Sequence, residues 1–90
     1  MFKVEFSKQA VKQLSKLDKN EARFIMAWIG KNLEGCDNPR LIGKALKGNY
    51  AGAWRYRVGN YRIITEIQDE KVIIIVLNIG HRRDVYDSQT

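Results

Sequence analysis

Ninety residues, 44% hydrophobic and 29% charged, make one compact domain over residues 1–90, near the lower size limit for a core without cross-links. One cysteine, Cys36, excludes an intramolecular disulfide. The amino-terminal MFKVEFSKQ lacks the pattern of a signal peptide and no apolar run is long enough for a bilayer, so a cytoplasmic chain with no membrane partner is expected.

In chain order, FKVEF alternates apolar and polar residues and predicts a short strand. Ser7 then caps a helix in which Ala10, Val11, Leu14 and Leu17 recur at helical spacing. A second helix is predicted from a cap at Asn20 through EARFIMAWIGKNLEG, with Ile25, Ile29 and Leu33 on one face and Gly35 ending it. Joined by a short connection, the two form a hairpin whose apolar seam also takes Phe24 and Trp28. The segment CDNPRLIGKALKGNYAG reads as a mobile arm with one helical turn around Leu41–Leu46. Three strands follow, over Trp54–Val58, Tyr61–Ile67 and Lys71–Ile79, the last two joined by a tight turn at Asp69-Glu70. VIIIVLNI is apolar on both faces and predicts a central strand covered on both sides. The expected fold class is α+β: an N-terminal strand, a helical hairpin, then antiparallel strands forming a small sheet with the helices on one face.

The charge is concentrated. Sixteen Lys and Arg against ten Asp and Glu give +6. From Asn38 to Thr65 there is no acidic residue, while Arg40, Lys44, Lys47, Arg55, Arg57 and Arg62 lie there and account for the whole excess. A patch of one sign attracts polyanions, RNA among them, with an acidic protein or membrane as alternatives. Within it, WRYRVGNYR alternates large apolar residues with arginine around Gly59-Asn60, a two-residue hairpin signal that sets Arg57 directly opposite Arg62. Like charges directly opposite are destabilising, which points to a use other than stability. Trp54, Tyr56 and Tyr61 then face the helices and the arginines face away. The tail HRRDVY leaves the sheet where these arginines can meet His81, Arg82 and Tyr86.

One His and one Cys, without paired carboxylates at ligand spacing, argue against a zinc or two-metal site, and the glycines match no nucleotide-cofactor fingerprint. No metal or cofactor is expected. Guanidinium groups bind phosphate bidentately and stay charged, so they can neutralise a pentacoordinate phosphoryl transition state. RNA carries its own nucleophile, the 2′-OH, which needs a group to take its proton. Tyr86, with a reference pKa of about 10 that neighbouring arginines would lower, and His81, at about 6.5, are the two candidates. His81 also reads as a simple surface residue.

RVGNYRIITEI followed by VLNIGHRRDVY resembles the RelE branch of the RelE/ParE superfamily of bacterial toxins, and LKGNYAGAWRYRVGNYR with the helical hairpin extends the likeness over nearly the whole chain. The resemblance implies a fold like that of microbial ribonucleases. It further implies a metal-independent endoribonuclease that cuts messenger RNA in the ribosomal A site, blocks translation and is held inactive by a cognate antitoxin. It gives catalytic or phosphate-binding roles to Arg55, Arg57, Arg62, Arg82 and Tyr86. Arg40, Lys44, Lys47 and Arg83 are then expected to contact RNA or ribosome. Where well-known members carry lysines on the first hairpin strand, this chain has Arg55 and Arg57, which cannot act as bases and leave that role to Tyr86 or His81. The alternative is the ParE-like branch, which inhibits DNA gyrase without cutting RNA.

Overall fold

The computed structural model of the chain describes residues 1–81. Its first strand, β1 (Lys3–Phe6), stops at Ser7, whose Oγ accepts the Ala10 N–H at 3.0 Å and donates to the Leu77 carbonyl at 2.9 Å. One hydroxyl thus caps α1 (Lys8–Ser15) and ties its start to the last strand, β5 (Ile73–His81). Farther along α1, Gln13 donates from Nε2 to Asn78 Oδ1 at 2.7 Å and accepts the Ile79 N–H at 2.6 Å, so the helix covers the outer edge of β5 beyond the end of β1.

The second helix, α2 (Lys19–Asn32), begins two residues earlier than the sequence suggests, because Asp18 and not Asn20 is its cap. The Asp18 carboxylate accepts the Asn20 N–H at 3.0 Å and sets an anion at the positive end of the helix dipole, which an amide cannot do. Its buried face is Ile25, Ile29 and, just past its end, Leu33. Gly35, at φ 78, then turns the chain back, and its N–H donates to the Phe2 carbonyl at 2.7 Å.

Three further strands, β2 (Lys44–Ala45), β3 (Trp54–Val58) and β4 (Tyr61–Gln68), complete a five-stranded mixed sheet in the order β1-β5-β4-β3-β2. β1 runs parallel to β5, and the other neighbours are antiparallel. Both helices lie on one face, where Tyr56, Val58, Ile63, Ile74, Val76 and Ile79 meet Ala10, Ile25, Ile29 and Leu33. A much smaller cluster, Leu46 and Ile64 with Tyr50 and Ala53, sits on the other face.

Several expectations are corrected. β5 is not covered on both sides: Ile74, Val76 and Ile79 are buried, whereas Ile73, Ile75 and Leu77 on the face without helices are half-buried. It is an interior strand as expected, paired with β1 on one edge and β4 on the other. Phe24 lies outside the hairpin seam, 54% exposed, with its ring 3.1 Å from where a Cβ on Gly59 would stand. The β4–β5 connection is a four-residue turn over 69–72 that needs a left-handed Val72 at φ 57. No helical turn forms over Leu41–Leu46. Instead β2 extends the sheet edge and a 3-10 turn follows at Gly48–Tyr50. The segment is no loose arm: the Tyr56 hydroxyl donates to the Pro39 carbonyl at 2.5 Å and Trp54 Nε1 to the Ile42 carbonyl at 2.7 Å. Among the described residues, no helix is long and apolar enough to cross a membrane.

Candidate active site

The β3–β4 hairpin closes at Gly59-Asn60, with Gly59 at φ 61 and Asn60 outside the positive-φ region, the signature of a type II′ turn. That turn fixes the register. Val58 pairs with Tyr61, Arg57 with Arg62 and Arg55 with Ile64, while β2 sets Lys44 opposite Arg55 and β5 sets Gly80 opposite Arg62. Residues directly opposite share a face, and so do residues two apart on one strand. The face without helices therefore carries two adjacent rows, Lys44–Arg55–Ile64 and Arg57–Arg62–Gly80.

The rows are roughly 7 Å apart along the strands, and cross-strand Cβ atoms within them roughly 5 Å apart, a spacing from which long guanidinium side chains can reach one phosphodiester. Gly80 presents no side chain beside Arg62 and leaves that end of the second row open. Arg55 and Arg62 are buried, at 4% and 5% exposure, and each is engaged within the chain, whereas Arg57 and Lys44 are exposed. The Leu46–Ile64 cluster gives these charges an apolar floor, which raises the electrostatic strength of each.

His81 falls on the other side. It pairs with Tyr61, not with Arg62, and its ring meets the Tyr61 ring edge-on at 5.7 Å and 70°. The Tyr61 hydroxyl donates to Glu21 of α2, and that acceptor, with burial second, pushes its pKa up to about 12. Strand alternation thus separates His81 from the arginines, and the structure does not bring it into their cluster. Arg82, Arg83 and Tyr86 lie outside the described residues.

Arg40 is also apart. Its two terminal nitrogens donate to the two oxygens of Asp69, each at 2.9 Å, at the far end of β4 from Arg62. The Arg40 hydrogen bond holds the Asp69 carboxyl below its usual range, and the same bond raises Arg40. A depressed carboxylate contributes stability above its unfolded pKa, about 3.9, and loses it as pH falls through the lower folded value. Thermal unfolding of Asp69→Asn against the parent chain should show a small constant gap from about pH 7 to 5 that closes below about pH 4. Lys47 is exposed just after β2.

Sequence reasoning put Lys44 on the basic surface but missed its place directly across from Arg55, because a two-residue strand leaves no alternation to read. It also missed a cleft of about 460 Å³ on the outer side of β3, lined by Trp28 and Asn32 of α2, by residues 42–44 and by residues 55–57. The available signal was Gly43, at φ 83 just before the apolar Ala45-Leu46 pair. Among the described residues, no group of three or more His, Cys, Asp or Glu could hold a metal ion.

A family model described as the ParE toxin of type II toxin-antitoxin systems matches residues 4–86. The chain belongs to this toxin family. Its relatives carry RelE-type names. Toxin RelG of Mycobacterium tuberculosis is 29% identical over 94% of this chain and 95% of its own length, and toxin RelE3 of Methanocaldococcus jannaschii is 34% identical over 94% and 96%. The toxin-antitoxin complex RelBE2 of M. tuberculosis contains a chain that superposes with a TM-score of 0.81 at 28% identity, covering 90% of this toxin and 98% of that chain. The α+β architecture with two helices against a mixed sheet is accordingly that of RelE toxins.

Proposed function

We propose that this toxin is an endoribonuclease that cuts messenger RNA in the ribosomal A site and so stops translation. The observation that carries the reading is the pair of cation rows, Lys44–Arg55 and Arg57–Arg62, on the face away from the helices. Cross-strand cations roughly 5 Å apart match the oxygens of a phosphodiester, which guanidinium groups bind bidentately. Arg55, Arg57 and Arg62 hold the scissile phosphate and take up the charge that builds on its oxygens. The 2′-oxygen attacks phosphorus, the bond to the 5′-oxygen breaks, and a 2′,3′-cyclic phosphate forms. Arg82 adds a further donor, Tyr86 as its phenolate takes the 2′-OH proton, a role that the position of His81 beside Tyr61 does not favour, and the departing 5′-oxygen takes up a proton from solvent to leave as a hydroxyl. Lys44, Lys47 and Arg83 extend the basic surface towards RNA and ribosome. Holding the message in line is the ribosome's share, and such positioning contributes several kcal/mol.

The toxin-antitoxin complex of the M. tuberculosis relative supports a cognate antitoxin as partner; a +6 toxin suits one that is acidic overall and partly disordered alone. A second reading, inhibition of DNA gyrase without RNA cleavage, has the ParE description of the matching family model in its favour. Primer extension on a translated message separates the two. Discrete truncations within codons are expected on adding the toxin; an intact message together with arrested gyrase supercoiling would overturn the nuclease reading.

A further inference from the structure

The cleft outside β3 shares Lys44, Arg55 and Arg57 with the cation rows but reaches past them to α2. β2 covers β3 only at Trp54 and Arg55, so beyond Lys44 the outer side of β3 opens into a hollow roofed by α2. Its walls are fixed before any ligand arrives. The Tyr56 hydroxyl holds Pro39, Trp54 Nε1 holds Ile42, and Gly43 lies so close to β3 that a Cβ there would be 2.6 Å from Trp54 Nε1 and 2.9 Å from Tyr56 Cδ1. Trp28 packs against the core, tilted on the Tyr56 ring at 5.7 Å and 54°, and also lines the hollow. Asn32 lines it one helical turn on, and its Nδ2 donates to the Trp28 carbonyl at 3.0 Å, which uses only one of the amide's hydrogen-bonding capacities. The exposed cations Lys44 and Arg57 line the same hollow.

An indole surface, an amide with free donor and acceptor capacity and cations at one rim are the three parts a nucleotide site needs: a stacking plane, a reader of the base edge and a phosphate partner. The volume suits a mononucleotide. We propose that this cleft is a nucleotide subsite, in which a base lies against Trp28, its edge is read by Asn32 and its phosphate faces Lys44 and Arg57. Because Arg57 also belongs to the second cation row, the subsite takes a nucleotide flanking the scissile phosphate. It thereby sets the sequence preference of cleavage, a consequence that rests on the nuclease reading.

The test uses the isotope-labelled toxin and the four 5′-mononucleotides, AMP, GMP, CMP and UMP, followed by amide and indole NMR signals. Saturable shifts of the Trp28 indole and Asn32 side-chain signals are expected, strongest with one base. Inorganic phosphate alone should leave the indole signal in place. Asn32→Ala should flatten the preference among the four bases, and Trp28→Leu should weaken all of them about tenfold or more. Since Trp28 also packs against the core, its variant counts only if its melting curve stays cooperative; Asn32→Ala keeps the proposal falsifiable otherwise. In the translated-message assay, Asn32→Ala should change which codons are cut. Failure of the nuclease reading would appear as no cleavage by the parent toxin, with the nucleotide shifts unaffected. The subsite proposal is overturned if nucleotides perturb only the Arg55 and Arg62 face, if Asn32→Ala binds all four like the parent, or if an antitoxin peptide and no nucleotide moves these signals.

Discussion

Arg62→Gln should cut cleavage of ribosome-bound message by at least ~100-fold, the effect of losing one donor to a developing oxyanion. Arg62 faces Arg57 across the hairpin and is buried beside the open position left by Gly80, so its charge is held in place at the open end of the second row. Relief of an opposed like-charge pair, worth tenths of a kcal/mol to about 1 kcal/mol, offsets part of the loss of the contact that Arg62 makes within the chain, and Gln retains a polar group, so the variant should stay folded with a cooperative melting curve. Ribosome binding, if it rests on dispersed cations such as Lys44 and Lys47, should change far less. A purely structural arginine predicts the reverse. If Arg62 served mainly an acidic neighbour, such as Glu66 on the same strand, the variant would melt early and still cut. Glu66 Oε2 accepts the Gln68 Nε2 hydrogen bond at 2.6 Å, and the β4–β5 register shifts between Ile64 and Thr65, ahead of it. Melting curves and cleavage measured on one sample decide between the two.

The second large effect is expected at Gly43. An added Cβ would stand 2.4 Å from the Arg55 carbonyl oxygen, against backbone that cannot swing away, and φ 83 is strained for any L-residue. The left-handed conformation costs roughly 1–2 kcal/mol and the enforced shift of packed groups roughly 1–3 kcal/mol more. Gly43→Ala should therefore lose about 2–5 kcal/mol, which in a chain of this size lowers the melting temperature by roughly 10–30 °C. Because the clash pushes on β3 at Arg55, residual cleavage should fall further than the folded fraction does. An unchanged melting temperature would mean that β2 does not hold this edge. Gly52, at φ 95 with open space around it, is the control: it carries the backbone strain without the clash.

The hairpin register was legible because Gly59-Asn60 leaves a two-residue turn only one pairing, and period-two alternation then assigned Trp54, Tyr56 and Val58 to the core. Ser7 was legible as a cap for a similar reason, a hydroxyl directly before a helical apolar period. What sequence could not convey was decided at a distance. Asp18 displaced Asn20 as a cap because a carboxylate suits the helix dipole better. Phe24 left the seam because, one residue before Ile25, it lies off the face that Ile25, Ile29 and Leu33 bury and over the Gly59 turn instead. The run VIIIVLNI suggested burial on both faces, yet the two α-helices among the described residues both went to one side. His81 read as a neighbour of the arginines by sequence proximity to Arg82, whereas alternation along β5 turns it towards Tyr61. The cation rows themselves were half legible: Arg55, Arg57 and Arg62 followed from the hairpin, but Lys44 needed a strand too short to announce itself.

The chemistry of the cut ends tests the central claim most directly. If guanidinium groups hold the phosphate while the message's own 2′-OH attacks, the upstream fragment from programmed ribosomes should carry a 2′,3′-cyclic phosphate or the 3′-phosphate it opens to, and the downstream fragment a 5′-hydroxyl. Both are read by end-specific ligation and phosphatase sensitivity. Upstream fragments ending in a 3′-hydroxyl, with 5′-phosphate on their partners, would place the nucleophile on water and contradict the mechanism assigned to this arginine face.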